Sequence, residues 1–396
     1  MSEPKIVAYV CNWCTYLGAD LAGTNRLGYP PNVRLIRLPC TGRIDFNLIV
    51  KAFEIGADAI LVSGCHPGDC HYTAGNYHAR RRWMLFRPLL DTLGFDLRRI
   101  HFTWISAAEG RKFQQVISEI TESARALGPA GYLIRREAAP AVPRTAPASV
   151  PPVVDEAGLR TNAAGLLRSG EAQVVIGYDA AGTPVFVRRE EDCSRLAVNA
   201  NARVNLAGYL TRREVRSLGR PAVVALPATT RAINVLEQEF QIDRSALVEI
   251  AVEKPSEGAS WKELEDFLEL APEQRMAYWM EEFERCTRCY ACRAACPMCY
   301  CERCVADKNR PQAIGTSATL KGNFAWHITR AFHQAGRCTG CGECTRACPA
   351  GINLGLLNKA VAKAAFDNFG YQAGAERGAG PLLGTYRPGD KEAFIR

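Results

Sequence analysis

Two cysteine runs in the C-terminal part of the chain share one spacing. In each, three cysteines stand two residues apart, and a fourth follows after three residues with a proline behind it. The positions are Cys286, Cys289, Cys292, Cys296 and Pro297, then Cys338, Cys341, Cys344, Cys348 and Pro349. This repeated pattern is typical of a pair of 4Fe-4S clusters. Four-cysteine zinc sites instead use Cys-x2-Cys pairs that a longer stretch separates. The runs therefore predict two 4Fe-4S clusters.

The fourth cysteine of each run has a special role in such pairs, because it binds the cluster of the other run. We therefore expect one cluster on Cys286, Cys289, Cys292 and Cys348. We expect the second on Cys338, Cys341, Cys344 and Cys296.

Three more cysteines, Cys299, Cys301 and Cys304, follow the first run at a different spacing. With Cys193 they total four, which is enough for a third 4Fe-4S cluster. The alternatives are structural or spare thiols beside the other clusters, or a small metal clip.

The first 127 residues alternate strand and helix. Short apolar, β-branched runs predict strands at 5–10, 33–38, 58–63 and 100–105, and apolar positions at helical spacing predict a helix at 45–56. Such alternation predicts a flavodoxin-like, doubly wound parallel sheet, whose functional groups lie at the carboxyl ends of the strands. Five cysteines follow these strands or lie in the adjoining loops: Cys11, Cys14, Cys40, Cys65 and Cys70.

These five thiols favour a metal cluster. Cys11 and Cys14 alone could form a thioredoxin-like redox pair, but a dithiol exchanger does not need three further cysteines on the same rim. An iron–sulfur cluster takes four of the five, so at least one is a spare or a gating thiol. For His66 and His71, which lie beside these cysteines, we expect hydrogen bonding around the cluster rather than iron binding.

Composition bounds the class of protein. The chain has 396 residues, of which 47% are hydrophobic and 23% charged, and this suits a globular protein of two or three domains. We expect a cytoplasmic protein, because no export signal or apolar run of membrane-spanning length appears and 17 cysteines suit a reducing compartment. Between Arg285 and Arg346 the net charge is +7 of the total +8. Anionic clusters in that stretch account for the charge better than nucleic acid does.

Composition and the pattern of predicted strands and helices divide the chain into four parts. Residues 1–127 form the predicted parallel-sheet domain, and 128–158 are a Pro/Ala-rich linker. Residues 159–258 return to an α/β pattern, with four strand-like runs and one helix but no nucleotide-binding fingerprint. Residues 259–396 form a mainly helical domain with both cysteine runs.

Two known families resemble these parts. The strings CNWCTYLGAD, LPCTGRID and GCHPGDCHYTAGNYHARRR resemble the delta subunit of methyl-viologen-reducing hydrogenase over residues 4–128. That resemblance implies one 2Fe-2S cluster, which takes electrons from a hydrogenase or formate dehydrogenase. It would pass them to a flavin subunit of a heterodisulfide-reductase-type complex. Residues 160–375, with CTRCYACRAACPMCYCERC and NFGYQAG, resemble ferredoxin-like dicluster subunits related to formate dehydrogenase beta chains.

The sequence thus predicts a multi-cluster electron-transfer subunit in a hetero-oligomer. Its partners would be an oxidoreductase and a flavin subunit, of a kind that includes electron-bifurcating ones. No nucleophile, general base or hydride-cofactor motif stands out, so substrate chemistry is expected in partner subunits. Two other classes stay open: a reductase in its own right, with a flavin in the middle domain, and a zinc-stabilised scaffold.

Overall fold

The structure is a computed structural model that describes residues 3–132, 142, 155–252, 260–308, 310, 312 and 314–392. Within these residues it contains two four-stranded sheets and a helical C-terminal part. The predicted α/β fold class is therefore confirmed. Most of the predicted linker, 128–158, lies outside the described residues.

The first sheet is parallel and covered on both faces. Its strands run in the order β2-β1-β3-β4, which is the flavodoxin-like order. They are β1 (Ile6–Cys11), β2 (Val33–Leu38), β3 (Ala59–Gly64) and β4 (Ile100–Trp104). The helices between and after them are α1 (Thr15–Thr24), α2 (Asn47–Glu54), α3 (Gly75–Thr92) and α4 (Gly110–Leu127). Ile6 and Val10 pack with Phe113 of α4 on one face, and Tyr9 and Val62 pack with α2 and α3 on the other. Burial on both sides explains the apolar runs of β1 and β3, whereas the edge strand β2 is partly exposed and carries two arginines.

The second sheet is mixed. Its order is β6-β5-β7-β8, and the edge strand β6 alone runs antiparallel to its neighbour. The strands are β5 (Val174–Tyr178), β6 (Pro184–Val187), β7 (Pro221–Ala225) and β8 (Val248–Ala251). The helices of this region are α5 (Glu156–Arg168), α6 (Ala207–Leu210), α7 (Arg213–Arg216) and α8 (Pro227–Gln238). Its separate hydrophobic core supports the predicted α/β middle region.

The C-terminal part carries the two cysteine runs on short helices between longer ones. These helices are α9 (Lys262–Leu268), α10 (Pro272–Glu284), α11 (Ala291–Ala294), α12 (Leu320–His333), α13 (Glu343–Arg346) and α14 (Leu354–Phe369). Helices α12 and α14 pack against α2 and α3 of the first sheet. Phe332 of α12 meets Phe46 and Phe86, with ring centroids 5.3 and 5.2 Å away. One hydrophobic core therefore runs from the first sheet into the helical part.

Candidate metal centres

The five N-terminal cysteines lie together at the carboxyl end of the first sheet. Cys11 ends β1, Cys65 directly follows β3, and Cys40 stands shortly after β2. The Sγ atom of Cys65 lies 3.7 Å from that of Cys11 and 2.6 Å from that of Cys14. The Sγ atoms of Cys40 and Cys70 are 3.7 Å apart. The strand order therefore gathers thiols that are far apart in sequence.

These thiols cannot all become thiolates without a cation. Hydrogen bonds with Cys14 and Cys65 lower the pKa of Cys11 to about 3. The hydrogen bond with Cys11 in turn raises the pKa of Cys14 to about 12, and that of Cys65 is raised by both neighbours. Burial raises the pKa of Cys40 to about 11. Cys14, Cys40 and Cys65 thus hold their protons unless a metal ion replaces them, as thiolate-binding metals do.

Two glycines, Gly42 and Gly75, place backbone without side chains close to the thiols of Cys40 and Cys70; we call this backbone the cradle. A Cβ atom on Gly75, the first residue of α3, would clash with Sγ of Cys40 and lie 3.2 Å from Sγ of Cys70. A Cβ on Gly42 would lie 2.8 Å from the carbonyl oxygen of Gly75. The backbone N–H of Gly42 donates to Sγ of Cys40 at 3.4 Å. This donor set and the space left by Gly75 fit a thiolate-bound metal centre.

The two histidines beside the cysteines interact with other groups. Nε2 of His66 lies 2.7 Å from the carboxylate of Glu109, which also accepts from the backbone N–H of Ser106 at 2.6 Å. Burial alone would raise the pKa of Glu109, but these two partners lower it to about 2. The ring of His71 stacks on Trp13, with centroids 3.8 Å apart. Glu109 is a partner that the sequence analysis did not anticipate.

Cys348 is close enough to two cysteines of the first run, Cys286 and Cys292, to act on them electrostatically. Burial raises the pKa of Cys286, and the negative charges of Cys348 and Cys289 raise it further. Burial also raises the pKa of Cys292 to about 11, and Cys344 of the second run, Cys286 and Cys348 contribute to that rise. The structure therefore brings Cys286, Cys289, Cys292 and Cys348 together; we call them the first thiol set.

Cys296 lies with the second run. Burial raises the pKa of Cys341 to about 12, and the charges of Cys296 and Cys344 add to the rise. Burial raises the pKa of Cys338 as well, and Cys341, Cys344 and Cys296 act in the same direction. A cavity of about 540 Å³ is lined by all four of these residues. We call Cys338, Cys341, Cys344 and Cys296 the second thiol set.

The two cysteine runs share backbone conformation as well as spacing. Arg288 and Tyr290 of the first run adopt left-handed φ angles of 58° and 59°. The equivalent positions of the second run are Gly340 and Gly342, with φ angles of 74° and 75°. Left-handed residues at both places bend each run around its own thiols, and only the second run uses glycine to avoid the steric cost.

Polar side chains from two helices contact the sulfur atoms. Nε2 of His327 on α12 lies 3.3 Å from Sγ of Cys286, and the amide of Asn358 on α14 donates to Sγ of Cys344 at 3.4 Å. The amide of Gln334, directly after α12, donates to Sγ of Cys299 at 3.5 Å. The sequence analysis missed these residues. The available signal was a polar series at helical spacing on an otherwise apolar helix: Asn323, His327, Arg330 and Gln334.

The four cysteines proposed for a third cluster are not brought together. Cys193 is buried in the core of the second sheet, and its Sγ lies 3.9 Å from the carbonyl oxygen of Arg189. Burial and two neighbouring acids raise its pKa, and no thiol contributes. Cys299 instead hydrogen-bonds with Cys296 of the second thiol set, and Cys301 is exposed. A third cluster on these four residues has no geometric support in the described part of the chain.

A parallel sheet with thiols at its rim, joined to two crossed thiol sets, defines an iron–sulfur electron-transfer protein. Comparison with known families agrees. Residues 6–128 match the methyl-viologen-reducing hydrogenase delta subunit, and residues 282–352 match the 4Fe-4S dicluster domain. The chain belongs to the methyl-viologen-reducing hydrogenase delta-subunit family and carries a 4Fe-4S dicluster domain in addition.

Individual relatives match the N-terminal third. The iron–sulfur subunit of the vhc F420-non-reducing hydrogenase of Methanococcus voltae is 54% identical over 127 residues, which are 32% of this chain and 88% of that protein. The F420-non-reducing hydrogenase iron–sulfur subunit of Archaeoglobus profundus is 50% identical over 127 residues, 32% of this chain and 93% of that protein. One component of the ferredoxin:CoB-CoM heterodisulfide reductase of Methanosarcina mazei is 41% identical over 134 residues, 34% of this chain but only 17% of its own length.

These comparisons confirm the predicted hydrogenase-delta resemblance and the dicluster domain. The relation to formate dehydrogenase beta chains stays a prediction. Among the described residues, no helix is long and apolar enough to span a membrane.

Proposed function

We propose that this chain relays electrons between an oxidoreductase and a heterodisulfide-reductase-like flavin subunit. One 2Fe-2S and two 4Fe-4S clusters would carry them. The observation that carries the proposal is the gathering of thirteen of its cysteines into three thiol groups within one continuous structure. The relatives' names support the partner classes, since they are subunits of hydrogenases and of heterodisulfide reductase.

The N-terminal thiols suit a two-iron centre. Two thiolates on one tetrahedral metal ion, with bonds of about 2.3 Å, stand about 3.8 Å apart. Cys11 with Cys65, and Cys40 with Cys70, each stand 3.7 Å apart, so each pair suits one iron. We therefore assign these four as ligands and Cys14 as the fifth, non-ligating thiol.

The two crossed thiol sets suit two 4Fe-4S clusters. The first would be held by Cys286, Cys289, Cys292 and Cys348, and the second by Cys338, Cys341, Cys344 and Cys296. When bound, such clusters supply one-electron redox chemistry. The protein's own contribution is to bury most of these thiols, with Cys289 exposed, and to direct His327 and Asn358 at sulfur, since burial and hydrogen bonds set cluster potentials.

The rim of the first sheet offers a surface for a redox partner. Trp13 and Tyr72 are 40% and 53% exposed beside the N-terminal thiols, and the indole N–H of Trp13 donates to the Tyr72 hydroxyl at 3.3 Å. Exposed aromatic side chains are enriched at protein interfaces. We assign this rim to contact with a partner protein. Electron bifurcation would take place in that partner and not in this chain.

Metal analysis of the full chain, purified without oxygen, tests the proposal. We expect about ten irons per chain with matching acid-labile sulfide, and EPR spectra of both cluster types. A colourless protein with bound zinc would instead support the scaffold alternative. Flavin released by acid would support a reductase in its own right. Mixed with a purified heterodisulfide-reductase-like flavin subunit, the loaded chain should form a complex and exchange electrons with the flavin.

A further inference from the structure

Arg330 is a buried cation with no carboxylate counter-ion among the described residues. It lies on α12 with 2% of its surface exposed. None of its three guanidinium nitrogens has a hydrogen-bond partner in the described part of the chain. An unpaired buried charge costs several kcal/mol, so proteins rarely leave an arginine in this state. An anion other than a described carboxylate must therefore balance its charge.

The position of Arg330 on α12 puts it between the two thiol sets. His327, one turn earlier, contacts Cys286 of the first set. Gln334, one turn later, lies 3.7 Å from Sγ of Cys296 of the second set. Residues three and four positions apart share one face of a helix, so Arg330 faces the space between these contacts.

The thiols around Arg330 include members of both sets, together with Cys299. Burial opposes its charge, but Cys344, Cys292, Cys296 and Cys299 act on it in the favourable direction. Burial lowers the pKa of His327, and the charges of Arg330 and Arg288 act in the same direction. The surroundings of the guanidinium are thus anionic only when these sulfurs are thiolates.

We propose that Arg330 is the shared counter-ion of the two 4Fe-4S sites and that its charge raises the reduction potential of both. The inference rests on the proposed function, because it needs clusters in both sites. A positive charge in a dry interior stabilises the more negative, reduced form of each site. Its effect is hardly screened by salt, because the guanidinium is buried.

Two other arginines provide matched controls, since each faces one thiol set. Arg288 acts on Cys286, and its guanidinium donates to the carbonyl oxygens of Gly322 and Gly315 at 2.7 Å each. Arg231 of α8 acts on Cys338 and Cys341. Removing either charge should therefore move one potential, whereas removing Arg330 should move two.

The test is a redox titration of the full chain, followed by EPR. Arg330→Met should shift both 4Fe-4S potentials to more negative values. A tenfold change in each reduction equilibrium corresponds to about 59 mV for one electron. Arg330→Lys should stay near the wild-type potentials. Arg288→Met should shift the first site alone, and Arg231→Met the second alone. The N-terminal cluster should be unaffected in every variant.

The outcomes separate the two proposals. A wild-type chain without 4Fe-4S clusters would contradict the proposed function. Clusters present at unchanged potentials in Arg330→Met would overturn the role of Arg330 and leave the proposed function intact. If Arg330→Met fails to retain iron, the charge-conserving Arg330→Lys decides: retained clusters support the counter-ion role, and their loss shows that shape rather than charge matters.

Discussion

At Gly75, backbone and sulfur approach so closely that a single methyl group should disable the N-terminal centre. We expect Gly75→Ala to lose about two irons per chain, because the new Cβ would clash with Sγ of Cys40 and displace the start of α3. Iron analysis and EPR of the anaerobically purified chain measure the loss. Gly28→Ala is the matched control, since a Cβ there meets nothing within 4 Å. Full iron content in Gly75→Ala would show that the cradle is not required.

Cys348 tests the crossing of ligands. We expect Cys348→Ser to change or remove the EPR signal of the first 4Fe-4S site, because Cys348 lies with Cys286 and Cys292. The second site should keep its signal, since Cys296 supplies its fourth thiol. Cys301→Ser, at an exposed position, should leave both signals intact. Loss of the second signal instead of the first would mean that each run is an independent site.

The spacing of the cysteines predicted the candidate ligands, but it could not predict the residues that contact them. The repeated cysteine runs indicate crossed sets before any fold is known, because the pattern itself encodes the exchange. The roles of Gly75 and Arg330 depend on contacts between distant elements, which spacing does not carry. The only reason to group Cys193 with Cys299, Cys301 and Cys304 was that four thiols are enough for one cluster. The fold instead buries Cys193 in the core of the second sheet.

At the scale of elements, the ends of two helices carry strain that a substitution can remove. Helix α1 ends in a Schellman motif: Leu27 N–H donates to Ala22 O and Arg26 N–H to Gly23 O, each at 2.9 Å. The left-handed residue is Arg26, with φ of 53°, where glycine is usual. Arg26→Gly should stabilise the fold by about 1 kcal/mol.

Urea unfolding of the full chain measures this gain. Arg26→Ala is the control, because alanine keeps the Cβ that makes the left-handed conformation costly. It should bring no stabilisation. Phe240 ends α8 in the same way, with φ of 56°, and offers an independent repeat. A destabilised Arg26→Gly would mean that the arginine side chain contributes more than its backbone conformation costs.

The strands were predictable because short runs of mostly apolar, often β-branched residues mark them. Parallel strands buried on both faces leave short β-branched runs, and all four runs of the first sheet became strands close to the predicted bounds. Helix α12 was also predictable as a helix. Its polar face was not assigned, because Asn323, His327 and Arg330 have a purpose only once the cysteines surround them.

At the scale of the whole molecule, the two ends of the chain meet. The tail after α14 returns to α3, the helix whose first residue lines the N-terminal centre. Arg80 pairs there with Glu392, and Arg81 donates to the carbonyl oxygen of Leu382 at 3.1 Å. The parallel-sheet part and the helical part are therefore joined by the tail as well as by the shared core.

An ion pair between Arg81 of α3 and Asp390 of the tail joins these two parts of the chain. Nε and Nη2 of Arg81 donate to the two carboxylate oxygens at 2.9 and 3.0 Å, and both side chains are 5% exposed. Asp390→Ala leaves a buried guanidinium without its partner, so it should cost about 3 kcal/mol in the free energy of unfolding. Urea unfolding followed by tryptophan fluorescence measures the cost.

A double-mutant cycle separates the pair from its surroundings. Arg81→Met together with Asp390→Ala should cost less than the sum of the single changes, because the double variant leaves no buried charge unpaired. The matched control is Arg98→Ala, which removes an equally well-formed pair with Asp96 from the exposed surface. It should change stability little, since Arg98 is 73% exposed and Asp96 stays close to Arg99. Additive effects of the Arg81 and Asp390 changes would show that the tail is held by the core alone and that the closing ion pair contributes nothing of its own.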